Sequence, residues 1–313
     1  TIENNEIGFY KKEAKTIFNL ENCPLMSASL RALFEDFKKV FPKVKKGSVR
    51  LRVSPDGQKG LWLDFANIDI KNLLEEKSQL ESLTKLFDVI EVGQKAKILK
   101  KTENTFKLSD PEWHTWFETY VITNKEIQVF PLKMHISSFS QTGFKTNKML
   151  INAYCEFLQK TKAESALELC AGSGNLTIPL LNQFNKVTAV ELNEPALEGL
   201  KISVKNTPFE KKLNTKVMNI HKANPEIKKL LQSHDLLTMD PPRSGIGDLA
   251  DLLKESDKKV LPNEIIYISC HTESLSKDLK KICNQNYYVQ KIIGLDQFPH
   301  SSHCEWMTHL KKA

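Results

Sequence analysis

The sequence lacks any long hydrophobic run. Its longest apolar stretches, such as residues 264–268 with their neighbours, are far too short to cross a bilayer, and the N-terminus has no signal-peptide core. Cysteine is also scarce, because only six thiols occur at irregular spacing in 313 residues. Such spacing favours reduced cysteines over a disulfide framework. We therefore expect a cytoplasmic protein that does not bind a membrane and whose thiols are free for chemistry.

What is present indicates an ordinary globular protein of more than one domain. Apolar residues make up 40% of the chain and charged residues 27%, and 313 residues exceed the usual size of a single domain. The net charge of +7, with basic clusters at 43–52, 95–101 and 211–212, favours a polyanionic partner such as RNA. Solvated lysine-rich surface is the alternative interpretation of these clusters.

Residues 1–132 predict an α+β domain. Stretches of strand length and composition lie at 7–10, 15–20, 48–53 and 61–65. Apolar residues on one helical face predict a helix capped by Ser29 and a second helix over about 69–87.

Residues 133–313 predict a second domain with a different pattern. Helices alternate with short apolar strands there, which indicates a doubly wound, mostly parallel sheet of the Rossmann-like type. We predict a helix over 146–160 and strands at 165–169, 186–190, 236–239 and 265–269. Ligand-binding and catalytic residues are expected at the carboxyl ends of these strands.

Two of these strand ends predict a nucleotide site. Residues 167–175 contain Gly172 and Gly174, which permit a close approach of a ligand to the backbone, but the third glycine of a pyrophosphate-binding fingerprint is missing. Glu191 ends the next strand, where a carboxylate suits a ribose diol. Together these motifs favour an adenosyl ligand without a pyrophosphate. A plain tight turn and a helix-capping Glu191 are the structural alternatives.

Two further strands end in residues that carry chemistry. Asp240 precedes two prolines and Arg243, and this type of turn is typical of methyltransferases that act on nucleobases or amides. A purely structural turn is the alternative, and Arg243 would then be either a phosphate contact or a solvated side chain. Cys270 lies just past the end of the strand at 265–269. A buried cysteine is most often a small core residue, but this placement favours a reactive thiol.

At these residues the sequence resembles the bacterial RNA 5-methyluridine (uracil-C5) methyltransferases. Five segments in family order carry the resemblance: residues 139–141, 167–175, 240–245, 269–279 and 296–305. Residues 8–11 and 22–24 look like the central RNA-binding domain of that family. The resemblance implies a class I methyltransferase fold, S-adenosyl-L-methionine as cofactor, RNA as partner and a monomer. It looks closest to the 23S rRNA branch, and a tRNA 5-methyluridine methyltransferase is the alternative.

The resemblance also implies roles for individual residues. Carbon 5 of uracil needs activation by a nucleophile at carbon 6, a task that suits a thiolate, and we expect Cys270 to supply it. Glu305 is expected to be the base. The expected cofactor-binding residues are Gln141, Cys170, Gly172, Asn175, Glu191 and Asp240. The expected substrate-binding residues are Phe139, Gln141, Asp240 and Arg243. Family members commonly have an aromatic residue at the position of Cys170. The only expected difference in this chain is the packing contact that this residue makes to the cofactor.

A metal centre is not expected from this chain. Some ribosomal-RNA members bind a [4Fe-4S] cluster through three closely spaced cysteines and a fourth that Cys23 resembles, and the three are not in this sequence. Either a preceding segment is missing here or the cluster is absent. Nor is a TRAM-type RNA-binding barrel present in these residues. His300, His303 and Cys304 lack a second pair at zinc-ligand spacing.

Two other functions remain as alternatives. An amino-methyltransferase is one alternative, but such enzymes have an aromatic residue after the two prolines, at the position of Arg243. A catalytically inert RNA-binding protein on the same fold would not need Cys270 and Glu305.

Overall fold

The computed structural model describes residues 1–4, 6–11, 16–93, 97–102, 105–122, 126–222, 225–255, 261–283 and 286–313. The chain forms two compact units, one of Thr1–Phe117 with Met134–Ser138 and one of Glu118–Lys133 with Phe139–Ala313. The domain boundary was predicted after residue 132. It lies next to Met134–Ser138, the segment that belongs to the first unit although it follows part of the second unit in the chain. Lys15 and Lys95, which begin a predicted strand and a basic cluster, lie outside the described residues. No helix in the described ranges has the length and apolar character needed to span a membrane.

The first unit is built on a sheet with the order β3-β2-β1-β4-β5-β6-β7-β8, in which only the β5–β6 pair is parallel. Leu61 and Leu63 of β5 and Phe37 of α1 are fully buried in its core. The elements are β1 (Ile2–Glu3), β2 (Glu6–Tyr10), β3 (Ile17–Asn19), α1 (Ala28–Val40), β4 (Lys46–Val53), β5 (Lys59–Phe65), α2 (Asn67–Glu75), α3 (Lys77–Leu86), β6 (Val89–Val92), β7 (Lys97–Lys101) and β8 (Phe106–Ser109).

Two predictions for this unit were wrong in detail. The cap of α1 is Ser27 and not Ser29, because the Ser27 hydroxyl accepts the Leu30 N–H at 3.3 Å. The single helix predicted over 69–87 is two helices, because the backbone leaves the helical region at Glu76, where φ is −90° and ψ is 78°. The apolar spacing continues through this break, so periodicity could not reveal it.

The second unit contains a seven-stranded sheet. Two paired strands, β9 (His114–Ile122) and β10 (Ile127–Met134), come earlier in the chain and form a sheet of their own. The helices and strands that follow them are α4 (Phe144–Leu158), β11 (Ser165–Leu169), α5 (Thr177–Gln183), β12 (Lys186–Glu191), α6 (Glu194–Val204), β13 (Leu213–Val217), α7 (Pro225–Gln232), β14 (Leu236–Met239), α8 (Asp248–Glu255), β15 (Glu264–Ser269), α9 (Thr272–Ile282), β16 (Tyr287–Leu295) and β17 (Glu305–Lys312).

The sheet order is β13-β12-β11-β14-β15-β17-β16. The five strands from β13 to β15 are parallel, and β17 and β16 add an antiparallel edge. The predicted doubly wound, mostly parallel sheet is confirmed. All four strands predicted for this domain form, with bounds that agree to within one residue. The sequence analysis did not identify the antiparallel edge.

The strand order reverses between β11 and β14, so the two central strands run side by side and their connections leave in opposite directions. Open α/β sheets bind their ligands beyond the carboxyl ends of the strands at such a switch point. At the opposite end of these strands, Asp235 Oδ2 accepts the N–H groups of Glu164 and Ser165, both at 3.1 Å, and the Ser165 hydroxyl at 2.8 Å. These bonds fix the register of β11 against β14 and therefore the level at which the two strands end.

Candidate active site

The loop that follows β11 turns through three residues with positive φ. The φ angles are 62° at Cys170, 55° at Gly172 and 102° at Gly174. A side chain at Gly174 would place its Cβ 2.5 Å from Leu200 Cδ1, so this glycine permits close packing of the loop on α6. At Gly172 nothing lies within 4 Å of an added Cβ. The backbone at Gly172 is therefore open to a ligand.

Glu191, the last residue of β12, holds this loop in place. Its Oε2 accepts the Gly172 N–H at 3.0 Å, and its Oε1 accepts the N–H groups of Leu192 at 2.7 Å and Asn193 at 2.9 Å. Oε2 keeps one lone pair, which can accept a hydrogen bond from a hydroxyl group. The geometry is compatible with the predicted ribose contact.

Asn175 is oriented by a residue that the sequence analysis missed. Asn175 Nδ2 donates to Asn147 Oδ1 at 2.8 Å, and Asn147 Nδ2 donates to Asn175 Oδ1 at 3.0 Å. Asn147 is fully buried, and Thr119 Oγ1 donates to the Asn175 carbonyl at 2.7 Å. The reciprocal pair leaves Asn175 one N–H and one lone pair for a ligand. The only sequence signal for Asn147 was an amide near the start of a predicted helix.

Glu168 is a second residue that the sequence analysis missed. It lies in β11 with 1% of its surface exposed, and neither carboxyl oxygen has a hydrogen-bond partner among the described residues. Burial raises the pKa of Glu168 to about 8, and the charges of Asp240 and Glu191 raise it further. The nearby Thr177 hydroxyl opposes this rise but is outside hydrogen-bonding geometry. Glu168 is thus a buried acid whose carboxyl oxygens have no partner in the part of the chain that the structure describes.

Asp240 follows β14 and is joined to two glutamines. Gln141 Nε2 donates to Asp240 Oδ2 at 3.0 Å, and Gln297 Nε2 donates to Gln141 Oε1 at 2.6 Å. Burial raises the pKa of Asp240 to about 7, and the bond from Gln141 opposes the rise. Gln297 is buried with its own Oε1 unpartnered in the described structure. The sequence analysis quoted the segment that contains Gln297 but gave this residue no role.

Strand pairing brings Cys270 and Glu305 together. In the antiparallel β15–β17 pair, Ser269 is opposite Trp306. Cys270 follows the last residue of β15 and Glu305 begins β17, so both lie at this end of the pair, and the Glu305 charge acts on the Cys270 thiol. Glu305 is 2% exposed, and its Oε1 has no partner in the described residues. Burial raises the pKa of Glu305 to about 8, with a further contribution from the charge of Asp240.

Cys270 experiences opposing electrostatic effects. Burial and the charges of Glu305 and Asp240 raise its pKa, whereas the Arg243 guanidinium opposes that rise. Cys270 also precedes the N-terminus of α9, whose cap is the His271 side chain. Helix N-termini stabilise thiolates. The thiol is half-buried, so a ligand can reach it.

The structure brings most of the predicted site residues together and leaves Phe139 apart. Gln141, Asp240, Cys270, Glu305 and Arg243 are linked by the hydrogen bonds and charges described above. Cys170 belongs to the same region, because the charges of Glu191, Asp240 and Glu168 all act on its thiol. Phe139 is 71% exposed, so the structure leaves its ring facing solvent.

Cys23 lies in the first unit, where it packs against the core of that unit. Among the described residues, no three His, Cys, Asp or Glu side chains are grouped so that they could hold a metal ion.

Residues 116–313 match the model of the family described as tRNA (Uracil-5-)-methyltransferase. An uncharacterized RNA methyltransferase of Bdellovibrio bacteriovorus is 34% identical over 315 residues, which cover 100% of this chain and 80% of that protein. The chain belongs to the tRNA (uracil-5-)-methyltransferase family. The predicted membership is confirmed, and with it the prediction of an RNA (uracil-5-)-methyltransferase.

Two further relatives extend the comparison. The 23S rRNA (uracil(1939)-C(5))-methyltransferase of a Marinomonas species is 24% identical, and the match covers 98% of this chain but only 65% of that enzyme. The crystal structure of the Pyrococcus abyssi tRNA (uracil-54, C5)-methyltransferase in complex with S-adenosyl-L-homocysteine superposes with a TM-score of 0.66 at 21% identity. The superposed region covers 99% of this chain and 74% of the Pyrococcus abyssi chain. The likeness confirms the predicted methyltransferase fold.

The unpartnered Glu168 carboxyl yields a prediction about stability. In the folded protein the pKa of Glu168 is about 8, above the value of 4.5 for an exposed glutamate, so the folded state binds the proton more tightly. The contribution of Glu168 to stability is therefore fully present below about pH 4.5 and is lost as the pH rises through about 8. Glu168→Gln should raise the free energy of unfolding by roughly 1–3 kcal/mol at pH 8 and change it little at pH 5. Urea denaturation at the two pH values measures the difference.

Glu164→Gln is the matched control, because Glu164 is an exposed carboxyl just before the same strand. It should leave the free energy of unfolding nearly unchanged at both pH values. Equal destabilisation by Glu168→Gln at pH 5 and pH 8 would mean that the carboxyl makes stabilising bonds in the free protein.

Proposed function

We propose that this protein methylates carbon 5 of a uridine in RNA, with S-adenosyl-L-methionine as methyl donor and a covalent Cys270 adduct. The observation that supports this function most is the strand pairing that brings a half-buried thiol and a buried carboxyl to the same end of the sheet, where the carboxyl charge acts on the thiol. A thiol and a base side by side are the two groups that the chemistry of uracil carbon 5 requires.

The residues at the strand ends fit an adenosyl cofactor. Glu168 and Ser173 have buried side-chain oxygens without a partner in the described structure, and the backbone at Gly172 faces open space. Glu191 supplies negative charge, and Glu168 and Asp240 add to it when a cationic ligand favours their ionised forms. This arrangement suits a sulfonium and an ammonium group and opposes a pyrophosphate. The missing third glycine agrees with this choice of ligand.

When bound, S-adenosylmethionine supplies an electrophilic methyl group for carbon 5. Glu191 would hold the ribose hydroxyls through the free lone pair of Oε2, and Gly172 would allow close approach of the ligand. Asn175 would donate its remaining N–H, and Asp240, aligned by Gln141, would offer its carboxyl group to the cofactor or the uracil edge. Cys170 would pack against the cofactor.

Cys270 opens the reaction. Its thiolate adds to carbon 6 of uracil, a C–S bond forms, and the electrons of the carbon 5–carbon 6 double bond move toward carbon 5 and the carbonyl at carbon 4. The Arg243 guanidinium and the N-terminus of α9 favour the thiolate that this step needs. Carbon 5 then has the electron density to accept a methyl group.

Glu305 completes the reaction. After methylation, carbon 5 carries both a methyl group and a proton, and the Glu305 carboxylate removes that proton. The double bond returns as the C–S bond breaks and the Cys270 thiolate is released. A raised pKa makes the ionised Glu305 a stronger base than an exposed carboxylate.

The substrate is proposed to be RNA, with 23S rRNA favoured over tRNA. A uridine in folded RNA must leave its stack to reach the thiol, and the exposed Phe139 ring is suited to stack on a base. The net charge of +7 favours a polyanion. The resemblance of residues 240–247 and of Cys23-Pro24 to the ribosomal branch supports 23S rRNA. The 24% identity to the Marinomonas enzyme supports it too.

The proposed cofactor predicts binding of S-adenosylhomocysteine to the full chain. Isothermal calorimetry should detect binding of this ligand, and Glu191→Ala should weaken it about ten-fold or more because the ribose contact and the loop support are lost. Glu198→Ala, which removes an exposed carboxyl on α6, is the control that should bind normally. Binding of NAD in place of S-adenosylhomocysteine would refute the proposed cofactor.

The two proposed catalytic residues act at different stages, so their variants should fail differently. Cys270→Ala should abolish both turnover and any covalent RNA adduct. Glu305→Gln should still add to uracil and accept the methyl group but then retain the RNA, since elimination needs the carbon-5 proton to be lost. A denaturing gel would reveal this complex as a shifted band. Wild-type turnover by Cys270→Ala, or normal release of methylated RNA by Glu305→Gln, would contradict the role of the residue concerned.

The choice of RNA predicts the result of nucleoside mass spectrometry on a deletion strain. We expect 5-methyluridine to be lost from 23S rRNA and retained in tRNA. Complementation with the wild-type gene, but not with a Cys270→Ala gene, should restore it. Loss from tRNA alone would overturn the preference for rRNA and leave the proposed chemistry intact.

A further inference from the structure

Gln297 is the buried end of a chain of two side-chain amides that reaches Asp240. Gln297 Nε2 donates to Gln141 Oε1 at 2.6 Å, and Gln141 Nε2 donates to Asp240 Oδ2 at 3.0 Å. The three residues come from different parts of the second unit, because Gln141 precedes α4, Asp240 follows β14 and Gln297 follows β16. The tertiary structure therefore brings together three side chains that are far apart in sequence.

Asp240 lies beside the loop at which the cofactor is proposed to bind. Its backbone N–H donates to the carbonyl of Leu169 at 3.4 Å, and Leu169 is the last residue before the loop that carries Gly172. Gln141 occupies Oδ2 of the carboxyl group, so Oδ1 is the oxygen that can face a ligand. An ionised carboxylate in this place attracts a cationic sulfonium and has no such interaction with a neutral thioether.

The chemistry of the carboxylate fixes the direction of the two hydrogen bonds. An ionised carboxylate only accepts hydrogen bonds, so Gln141 must turn its N–H towards Asp240. The Gln141 carbonyl oxygen then points the other way and needs a donor, which the Gln297 amide supplies. In the opposite orientation Gln141 Oε1 would face Asp240 Oδ2, and these oxygens can share a hydrogen bond only if the carboxyl group is protonated.

Gln297 keeps its orientation although its own acceptor is not satisfied. The residue is 5% exposed, and its Oε1 has no hydrogen-bond partner in the described part of the chain. Leaving a buried acceptor unpaired is unfavourable, so the amide is not oriented to satisfy its own groups. The backbone N–H of Gln297 donates to the Leu295 carbonyl at 2.9 Å, which fixes the main chain just after β16. The side chain therefore approaches Gln141 from a fixed point.

We propose that Gln297 is a positioning residue, which holds the Gln141 N–H towards Asp240 and so raises the affinity of the site for a cationic methyl donor relative to the neutral thioether. The proposal rests on the proposed function, because it assumes that Asp240 faces the cofactor. A hydrogen bond to an ionised carboxyl group stabilises that form, and the bond from Gln141 opposes the rise that burial causes in the pKa of Asp240. Without Gln297 the Gln141 amide is free to turn, and the neutral acid becomes more favourable.

The test is isothermal calorimetry on the full chain without RNA, with S-adenosylmethionine as the cationic ligand and S-adenosylhomocysteine as the neutral one. Gln297→Met removes the donor and keeps a side chain of the same length. At about pH 7 it should weaken binding of S-adenosylmethionine about three-fold or more and binding of S-adenosylhomocysteine less than about two-fold. Gln232→Met makes the same change at an exposed position of α7 and should leave both affinities unchanged.

Gln297→Asn is a second variant, because its shorter side chain stays polar but cannot reach Gln141. It should lower the affinity for S-adenosylmethionine relative to S-adenosylhomocysteine as Gln297→Met does, and circular dichroism identifies the folded variants. The proposal is overturned if the folded variants weaken both ligands equally, since that pattern indicates a purely structural role. It is also overturned if they weaken neither ligand.

A double-mutant cycle shows whether Gln297 acts through Gln141. Gln141→Met removes the bond to Asp240 itself, so it should change the ratio of the two dissociation constants at least as much as Gln297→Met. Combining both substitutions should change the ratio no further than Gln141→Met alone. Additive effects on the ratio would overturn the proposal, because Gln297 would then act independently of Gln141.

Failure of the proposed function gives a different result. If the wild-type protein bound neither ligand, the proposed cofactor would fail, and the inference about Gln297 would fail with it. If the wild type bound both ligands and formed the covalent RNA adduct, while Gln297→Met and Gln297→Asn left the ratio of dissociation constants unchanged, the inference alone would fail.

Discussion

The antiparallel pairing of β17 with β15 is the constraint on which the candidate site depends. A parallel strand in this place would bring its own carboxyl end to the Cys270 side of the sheet. Because β17 runs the other way, its first residue, Glu305, lies there instead. A register shift of one residue would turn the Glu305 side chain to the other face of the sheet. The strand pairing therefore decides that Glu305 lies at the same end of the sheet as Cys270.

This pairing concentrates acids at one end of the sheet. The Glu168 and Glu305 side chains are buried, Asp240 is half-buried, and the charge of Asp240 raises the pKa of both Glu168 and Glu305. Unpaired buried charges are costly, so the free protein favours protonated carboxyl groups here. A cationic ligand reverses that preference, because it stabilises the ionised forms. Cofactor binding and the ionisation of these acids should therefore be linked. The buried acids lower the stability of the free protein at neutral pH, and they favour the binding of a positively charged ligand.

The parts of the fold and site that the sequence predicted are those encoded locally. The strand before Gly172, Glu191 at the end of the next strand and Asp240 before two prolines each carry their signal within a few residues. Other contacts join residues far apart in the chain. Gln141 meets Asp240 across 99 positions and Gln297 across 156, and Asn147 meets Asn175 through a helix that shows only apolar periodicity. No propensity or spacing encodes such pairs, because they depend on which elements the sheet order makes neighbours.

Those long-range pairs shape the cofactor loop before any ligand is bound. Glu191 holds the Gly172 N–H, Asn147 orients the Asn175 amide and Thr119 holds the Asn175 carbonyl. A loop that is already ordered loses little conformational entropy on binding, so more of the contact energy contributes to affinity. Among the described residues, the buried side-chain oxygens of Glu168 and Ser173 are left without a partner. The structure thus fixes the backbone of the loop with bonds inside the protein and leaves unpaired the side-chain oxygens that a ligand can satisfy.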